Sequence, residues 1–268
     1  MDLFDNSQFN DICISDTKTP IVVFIGLEAC GKTLALFRMI RFLEAKSYHV
    51  VPVEDFRCDS DYRYKRLCSI LKERVYSPYL GWLSQDFLLI KVLNTLCTPI
   101  CQIAKIPGFS IYGSLRHRNF PTYIDTLISS GNKKVWVFFV EQDWGNNQEE
   151  RNIYSQKICS LQNLISPNDK IVFLFSKSDL QKSNGRYDKY GKPIKKLIFK
   201  QIRHEYPDIF IRYQNSGLKK LLFGEFSIKS ICFSAGWFNR MIDGQMIWTP
   251  ESDWYCSEFW NAIQMAVK

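Results

Sequence analysis

The chain has 268 residues, 46% of them hydrophobic and 15% aromatic, with a net charge of +8. That composition supports a sizeable core and excludes a disordered chain, and the positive balance points to acidic partners: a nucleotide, nucleic acid or an anionic surface. No apolar run is long enough to cross a bilayer, and the start MDLFDNSQF lacks the basic region of a signal peptide, so a cytoplasmic location is expected.

Nine cysteines (Cys13, Cys30, Cys58, Cys68, Cys97, Cys101, Cys159, Cys232, Cys256) form no C-x-x-C pair, and they read as free thiols of a reducing compartment. Three histidines, at 49, 117 and 204, are too dispersed for a His-rich metal site.

In chain order, Ile21–Ile25 is an unbroken apolar run, the mark of a strand buried on both faces. A glycine loop follows, then a helix over 32–46 and a strand over 48–53. Residues 58–93 read as helical with a break near 77–81. Strands are expected at 100–106, 135–140, 171–175 and 230–233. Helices are expected at 121–129, 149–165, 193–205 and 258–267. Alternating strands and helices imply a mostly parallel sheet, because parallel neighbours need crossover connections. The expected architecture for 1–268 is therefore one α/β domain with a helical insertion around 57–98. The basic stretch KSNGRYDKYGKPIKKLIFK, 182–200, reads either as a solvated face or as a nucleic-acid patch, with no nucleic-acid motif beside it. The aromatic stretch 237–264 reads as core packing with a docked helix, or as a partner surface.

Gly26, Leu27, Glu28, Ala29, Cys30, Gly31, Lys32 and Thr33 spell G-x-x-x-x-G-K-[ST] between the first strand and the first helix. The glycines allow the backbone to turn so that successive amides, through Leu34, converge on phosphate oxygens. The helix presents its positive end to the same anion. Lys32 is expected to reach the β- and γ-phosphates, and Thr33 to offer its hydroxyl to Mg²⁺.

After the strand at 171–175 comes Ser176-Lys177-Ser178-Asp179-Leu180, which resembles the N-K-x-D guanine motif of P-loop GTPases, with serine in place of asparagine. The resemblance implies that Asp179 accepts hydrogen bonds from guanine N1 and N2, which adenine cannot supply, and that the stem of Lys177 covers the base. Ser234-Ala235-Gly236 is similar to the last base-contacting loop of that superfamily. Lys105-Ile106-Pro107-Gly108 takes the place of D-x-x-G: Gly108 is positioned to sense the γ-phosphate, but Lys105 stands where the magnesium-serving acid belongs. Glu141, ending the strand at 135–140, is the replacement acid, for metal or for water, or else a strand-end cap. Thr95 and Thr98 are switch threonines by order alone. Arg57, Arg63, Arg66 and Arg74 are candidate fingers or exposed helical residues. Glu28 occupies a position where small GTPases usually carry glycine.

Together these motifs resemble the GTPase superfamily of P-loop proteins over roughly 20–240, and more narrowly the bacterial double-GTPase-type proteins of conflict- and secretion-associated systems. The resemblance implies a three-layer P-loop NTPase fold, GTP/GDP and Mg²⁺ as cofactors, and protein partners. Three activities stay open at this point: a GTP-hydrolysing switch, a non-hydrolysing pseudo-GTPase scaffold, and an ATPase or small-molecule kinase that uses only the phosphate loop.

Overall fold

The computed structural model describes residues 12–57, 62–77, 87–108, 122–141, 148–178, 186–189, 191–211, 213–218, 221, 228–241 and 246–268. Seven strands form one sheet: β1 (Ile21–Ile25), β2 (His49–Pro52), β3 (Leu88–Leu93), β4 (Pro99–Lys105), β5 (Lys134–Glu141), β6 (Lys170–Ser176) and β7 (Lys229–Cys232). Their spatial order is β2-β3-β4-β1-β5-β6-β7. From β4 to β7 all neighbours are parallel, whereas β3 is antiparallel to both β2 and β4. A separate antiparallel ribbon pairs β8 (Gly236–Arg240) with β9 (Met246–Pro250).

The helices are α1 (Lys32–Ala45), α2 (Tyr62–Tyr76), α3 (Thr122–Ser129), α4 (Gln148–Gln162), α5 (Lys195–Glu205), α6 (Pro207–Ile211) and α7 (Asp253–Val267). They flank the sheet on both sides. On one face Phe24 meets Phe259 of α7 at 5.6 Å between ring centroids. On the other, Phe173 stacks on Phe138 and meets Phe210 of α6 at 4.8 Å. Adjacent residues Phe138 and Phe139 serve opposite faces, as the two-residue period of a strand requires. Every side chain of β1 is buried, as expected for a strand lying centrally in a parallel sheet.

The α/β class and most elements agree with the sequence reading. Residues 58–93 do not form the continuous helical region expected there: α2 ends at Tyr76, and Leu88–Leu93 is a strand. Its burial pattern follows the sheet, and its register against β4 (Ile90↔Ile103, Val92↔Cys101) is set by residues distant in sequence. The closing helix begins at Asp253 rather than 258, with the Ser252 hydroxyl accepting a bond from the Trp254 amide at 3.3 Å as its cap. The β8–β9 ribbon was not anticipated. It is anchored to α1 by Trp248, buried against the Arg41 guanidinium 4.6 Å from its ring. Arg38 of α1, only 5% exposed, donates to the Glu251 carbonyl at 2.6 Å and to Asp253 at 2.8 Å. In the aromatic C-terminal stretch, Tyr255, Phe259 and Trp260 are core, while Trp237 and Phe238 are exposed.

The amino-terminal edge of the sheet is closed by Asp16. Its backbone carbonyl accepts from Gln102 and Asn132. Its carboxylate accepts from the Thr19 amide and hydroxyl and pairs with Lys91 at 2.8 Å. Burial alone would raise the carboxyl's pKa, but these donors outweigh it and hold Asp16 well below the usual carboxylate range. A group depressed on folding stabilises the protein above its unfolded pKa, and that stabilisation is lost as pH falls through the folded value. Asp16→Asn should therefore cost about 1–2 kcal/mol at pH 7, a loss that shrinks below about pH 4. Urea denaturation across that range measures it, and a pH-independent loss would rule out the carboxylate's charge as the cause.

Candidate nucleotide site

The parallel strands β1, β4, β5, β6 and β7 end on one edge, and the sequence motifs meet there. Residues 26–31 leave β1 and enter α1. Gly31, at φ +91°, adopts the left-handed conformation that starts the helix, and Ala29 does the same at φ +56°. The Gly31 carbonyl accepts the first helical bond, from Ala35, at 2.9 Å. Among the described residues no side chain caps α1, and its first turn holds no acid, so the positive helix end is not neutralised by its own side chains.

Lys32 folds back over this loop. Its ammonium donates to the carbonyls of Gly26 at 2.7 Å and Leu27 at 2.6 Å, with the Cys30 thiol at 3.5 Å. The residue is 5% exposed, and among the described residues no carboxylate pairs with it. The buried ammonium is thus met by two carbonyl dipoles and a thiol rather than by an opposite charge. Glu28 and Ala29 are exposed at the tip, and Thr33 and Leu34 are half-buried at the helix start.

Gly108 lies directly against this loop. A Cβ there would stand 2.2 Å from the Glu28 amide nitrogen and 2.4 Å from the Leu27 carbonyl carbon, so only glycine permits the approach. Lys105 is 2% exposed at the end of β4, in register with Phe24 of β1. Thr95 and Thr98 sit in the exposed turn before β4, at its amino-terminal end. The length of β4 separates them from the loop cluster by about 20 Å, so neither can reach a metal at Thr33. Of the arginines, Arg57 is buried with its guanidinium 5.6 Å from the Phe87 ring, and Arg63 and Arg66 are exposed on α2.

The second motif flanks the first. Ser176 is buried, its Cβ 3.9 Å from where a Cβ of Gly31 would stand, and its hydroxyl donates to the Val140 carbonyl at 3.5 Å. Lys177 is left-handed at φ +53°, a conformation that costs a lysine about 1–2 kcal/mol and persists only where its surroundings impose it. Here they do. The Ser178 amide donates to the Phe233 carbonyl at 3.1 Å, Tyr187 donates to the Ser178 carbonyl, and the Lys177 ammonium pairs with Glu141 at 2.7 Å. Asp179 lies outside the described residues.

The third motif follows β7. The Phe233 amide donates to the Phe175 carbonyl at 2.7 Å, and Ser234 is fully buried. The Ala235 carbonyl accepts from the Trp248 indole at 3.1 Å, fixing the loop on the ribbon. The sequence singled out Glu141 and Lys177 separately and missed their pairing. The signal lies in strand register, Glu141 opposite Ser176, which only the assembled sheet supplies.

No protein-family model and no curated protein matches the sequence. Among solved structures, the chain is similar to the GTPase-like domain of S. cerevisiae Ski7 bound to GDP and inorganic phosphate, at 16% identity and a TM-score of 0.44, covering 93% of this chain and 49% of that one. The same domain bound to GTP gives 17% identity and a TM-score of 0.39, covering 81% and 43%. Nucleolar GTP-binding protein 1 of Plasmodium falciparum gives 15% identity and a TM-score of 0.40, covering 84% and 81%. The chain thus spans about half the length of the Ski7 structures.

Two outcomes follow from this geometry. Gly108→Ala should force the two loops apart and lower stability by about 2 kcal/mol, whereas Gly131→Ala, whose Cβ meets nothing closer than 3.9 Å, should be near neutral in the same thermal melts. Burial also pushes the Cys30 thiol upward, and Cys101, Cys232 and Cys256 to about 12. These thiols stay protonated and unreactive. Alkylation at pH 8 followed by peptide mapping should mark exposed Cys13 and Cys97 and spare Cys30. Rapid labelling of Cys30 would mean that the loop opens in solution.

Proposed function

We propose that the chain binds guanosine triphosphate across residues 26–34 and the turns after β6 and β7, and hydrolyses it slowly to GDP and phosphate with a movement of the Gly108 loop. The observation that carries this reading is Lys32: a buried ammonium held by the Gly26 and Leu27 carbonyls at the mouth of an uncapped helix. Such an arrangement favours a dense anion, and a polyphosphate chain satisfies cation, amides and helix end together. Ser176, beside Gly31, ties the base side of the pocket to the phosphate side. Asp179, three residues beyond, supplies the guanine-specific acceptor.

Catalysis here is positioning and charge neutralisation, with no covalent step on the protein. Thr33, half-buried in the first helical turn, fits as the residue that would hold Mg²⁺, which supplies charge neutralisation on the phosphates when bound. Gly108 senses the terminal phosphate because its backbone already touches the loop. The eight described cysteines are free thiols, which supports a reducing compartment such as the cytoplasm, and no described helix is long and apolar enough to cross a membrane. A protein partner that reads the Gly108 loop completes the switch, as the narrower resemblance to double-GTPase-type proteins implies.

A second reading is favoured by two side chains. Lys105 occupies the place of the metal-serving acid, and Glu141 is engaged with Lys177. With both acids of the hydrolytic machinery displaced, the protein holds nucleotide as a structural ligand without turning it over. Phosphate release from purified protein over hours separates the two: slow release abolished in Lys32→Ala supports hydrolysis, and bound nucleotide with no release supports the scaffold.

Lys32→Ala should weaken GTP and ATP alike by on the order of 100-fold, the loss of charge-assisted bonds to phosphate. Asp179→Ala should weaken GTP by about 10–100-fold and leave ATP unchanged. Calorimetric titration of both variants checks this, and equal losses for the two nucleotides in Asp179→Ala would exclude a guanine pocket.

A further inference from the structure

The ion pair joining the ends of β5 and β6 supports an inference that rests on the guanine-nucleotide reading and deepens it. We propose that Glu141 is a positioning residue for the nucleoside: its carboxylate holds the Lys177 ammonium so that the lysine's methylene stem forms a preset wall of the base pocket.

The geometry is specific. Glu141 Oε1 lies 2.7 Å from Lys177 Nζ, and the carboxylate is the more enclosed partner, 15% exposed against 38% for the lysine. Glu141 is itself fixed at its backbone, where the Tyr206 hydroxyl donates to its carbonyl at 3.3 Å. In the sheet it stands opposite Ser176, so Lys177 begins one residue beyond the last paired position. There the chain turns left-handed, and the lysine's ammonium meets Glu141 at the end of β5. The backbone beyond is pinned through the Ser178 amide on Phe233. With the main chain fixed on both sides, the long side chain is the remaining source of disorder at this wall, and the ion pair removes it before any ligand arrives.

The same pairing argues against Glu141 as a metal acid. With Oε1 engaged by the ammonium, the carboxylate's charge is already partly neutralised, and the adjacent positive charge repels Mg²⁺.

The test compares GTP with inorganic triphosphate, which probes the phosphate loop alone, on the full chain. Glu141→Gln and Lys177→Met should each weaken GTP by about threefold to tenfold, the ordering lost from one long side chain, and leave inorganic triphosphate binding unchanged. The double variant should lose no more than either single, because both remove one shared interaction. Thermal melts confirm that each variant is folded. Three results would overturn the inference: Glu141→Gln that binds GTP normally but releases phosphate more slowly or needs more Mg²⁺; equal losses for GTP and triphosphate; or additive losses in the double variant. If the wild-type protein binds neither ligand, the guanine-nucleotide reading fails with it. If it binds GTP in a Lys32-dependent way with no dependence on Glu141, only the positioning role fails.

Discussion

A strand paired in parallel on both sides and covered on both faces has no free polar groups along its length, so its backbone can meet a ligand only beyond its end. That constraint governs this molecule. Ile21–Ile25 lies between β4 and β5 with every side chain buried. The chain must leave the sheet at Gly26 and turn before it can continue as a helix on one face. The chain turns over residues 26–31, and Lys32 closes the turn by bonding the Gly26 and Leu27 carbonyls. Packing of the first strand thus sets where the glycine turn lies and where Lys32 folds back over it.

The other strands bring chemistry to that same edge because they run the same way. β4 delivers Gly108 against Glu28, β6 delivers Ser176 against Gly31, and β7 delivers Ser234 and Ala235. The charges there are distributed unevenly. Cations are enclosed (Lys32, Lys105), one acid is paired (Glu141) and one is exposed (Glu28).

Much of this was legible in the sequence wherever a local rule decided the outcome. Unbroken apolar runs revealed β1, β5 and β6, since strands covered on both faces need no alternation. The turn between β1 and α1 was legible because its glycines answer a local geometric demand, met by Gly31 at φ +91°. Leu88–Leu93 was read as helix because its short apolar run follows a helical segment and carries no period of its own. What makes it a strand is pairing with β2 and β4, a tertiary choice. The β8–β9 ribbon escaped for a related reason: WFNR and MIWTP mix apolar and polar residues without alternating cleanly, and Trp248 is held in part by Arg41 of the distant helix α1. The early start of α7 did have a signal, Ser252 followed by Asp253, that a capping argument would have caught. The Glu141–Lys177 pair had none, because two residues 36 apart in register-dependent neighbours become partners only once the sheet exists.

The strand order carries a consequence for synthesis on the ribosome. β1 emerges early, but both of its neighbours in the sheet, β4 and β5, lie far downstream, with β2, α2 and β3 made in between. An apolar segment without its hydrogen-bonding partners must wait, exposed, until β4 and then β5 have been made. Nascent polypeptides released before Glu141 lack one side of the central strand, and they would be the species most in need of a chaperone.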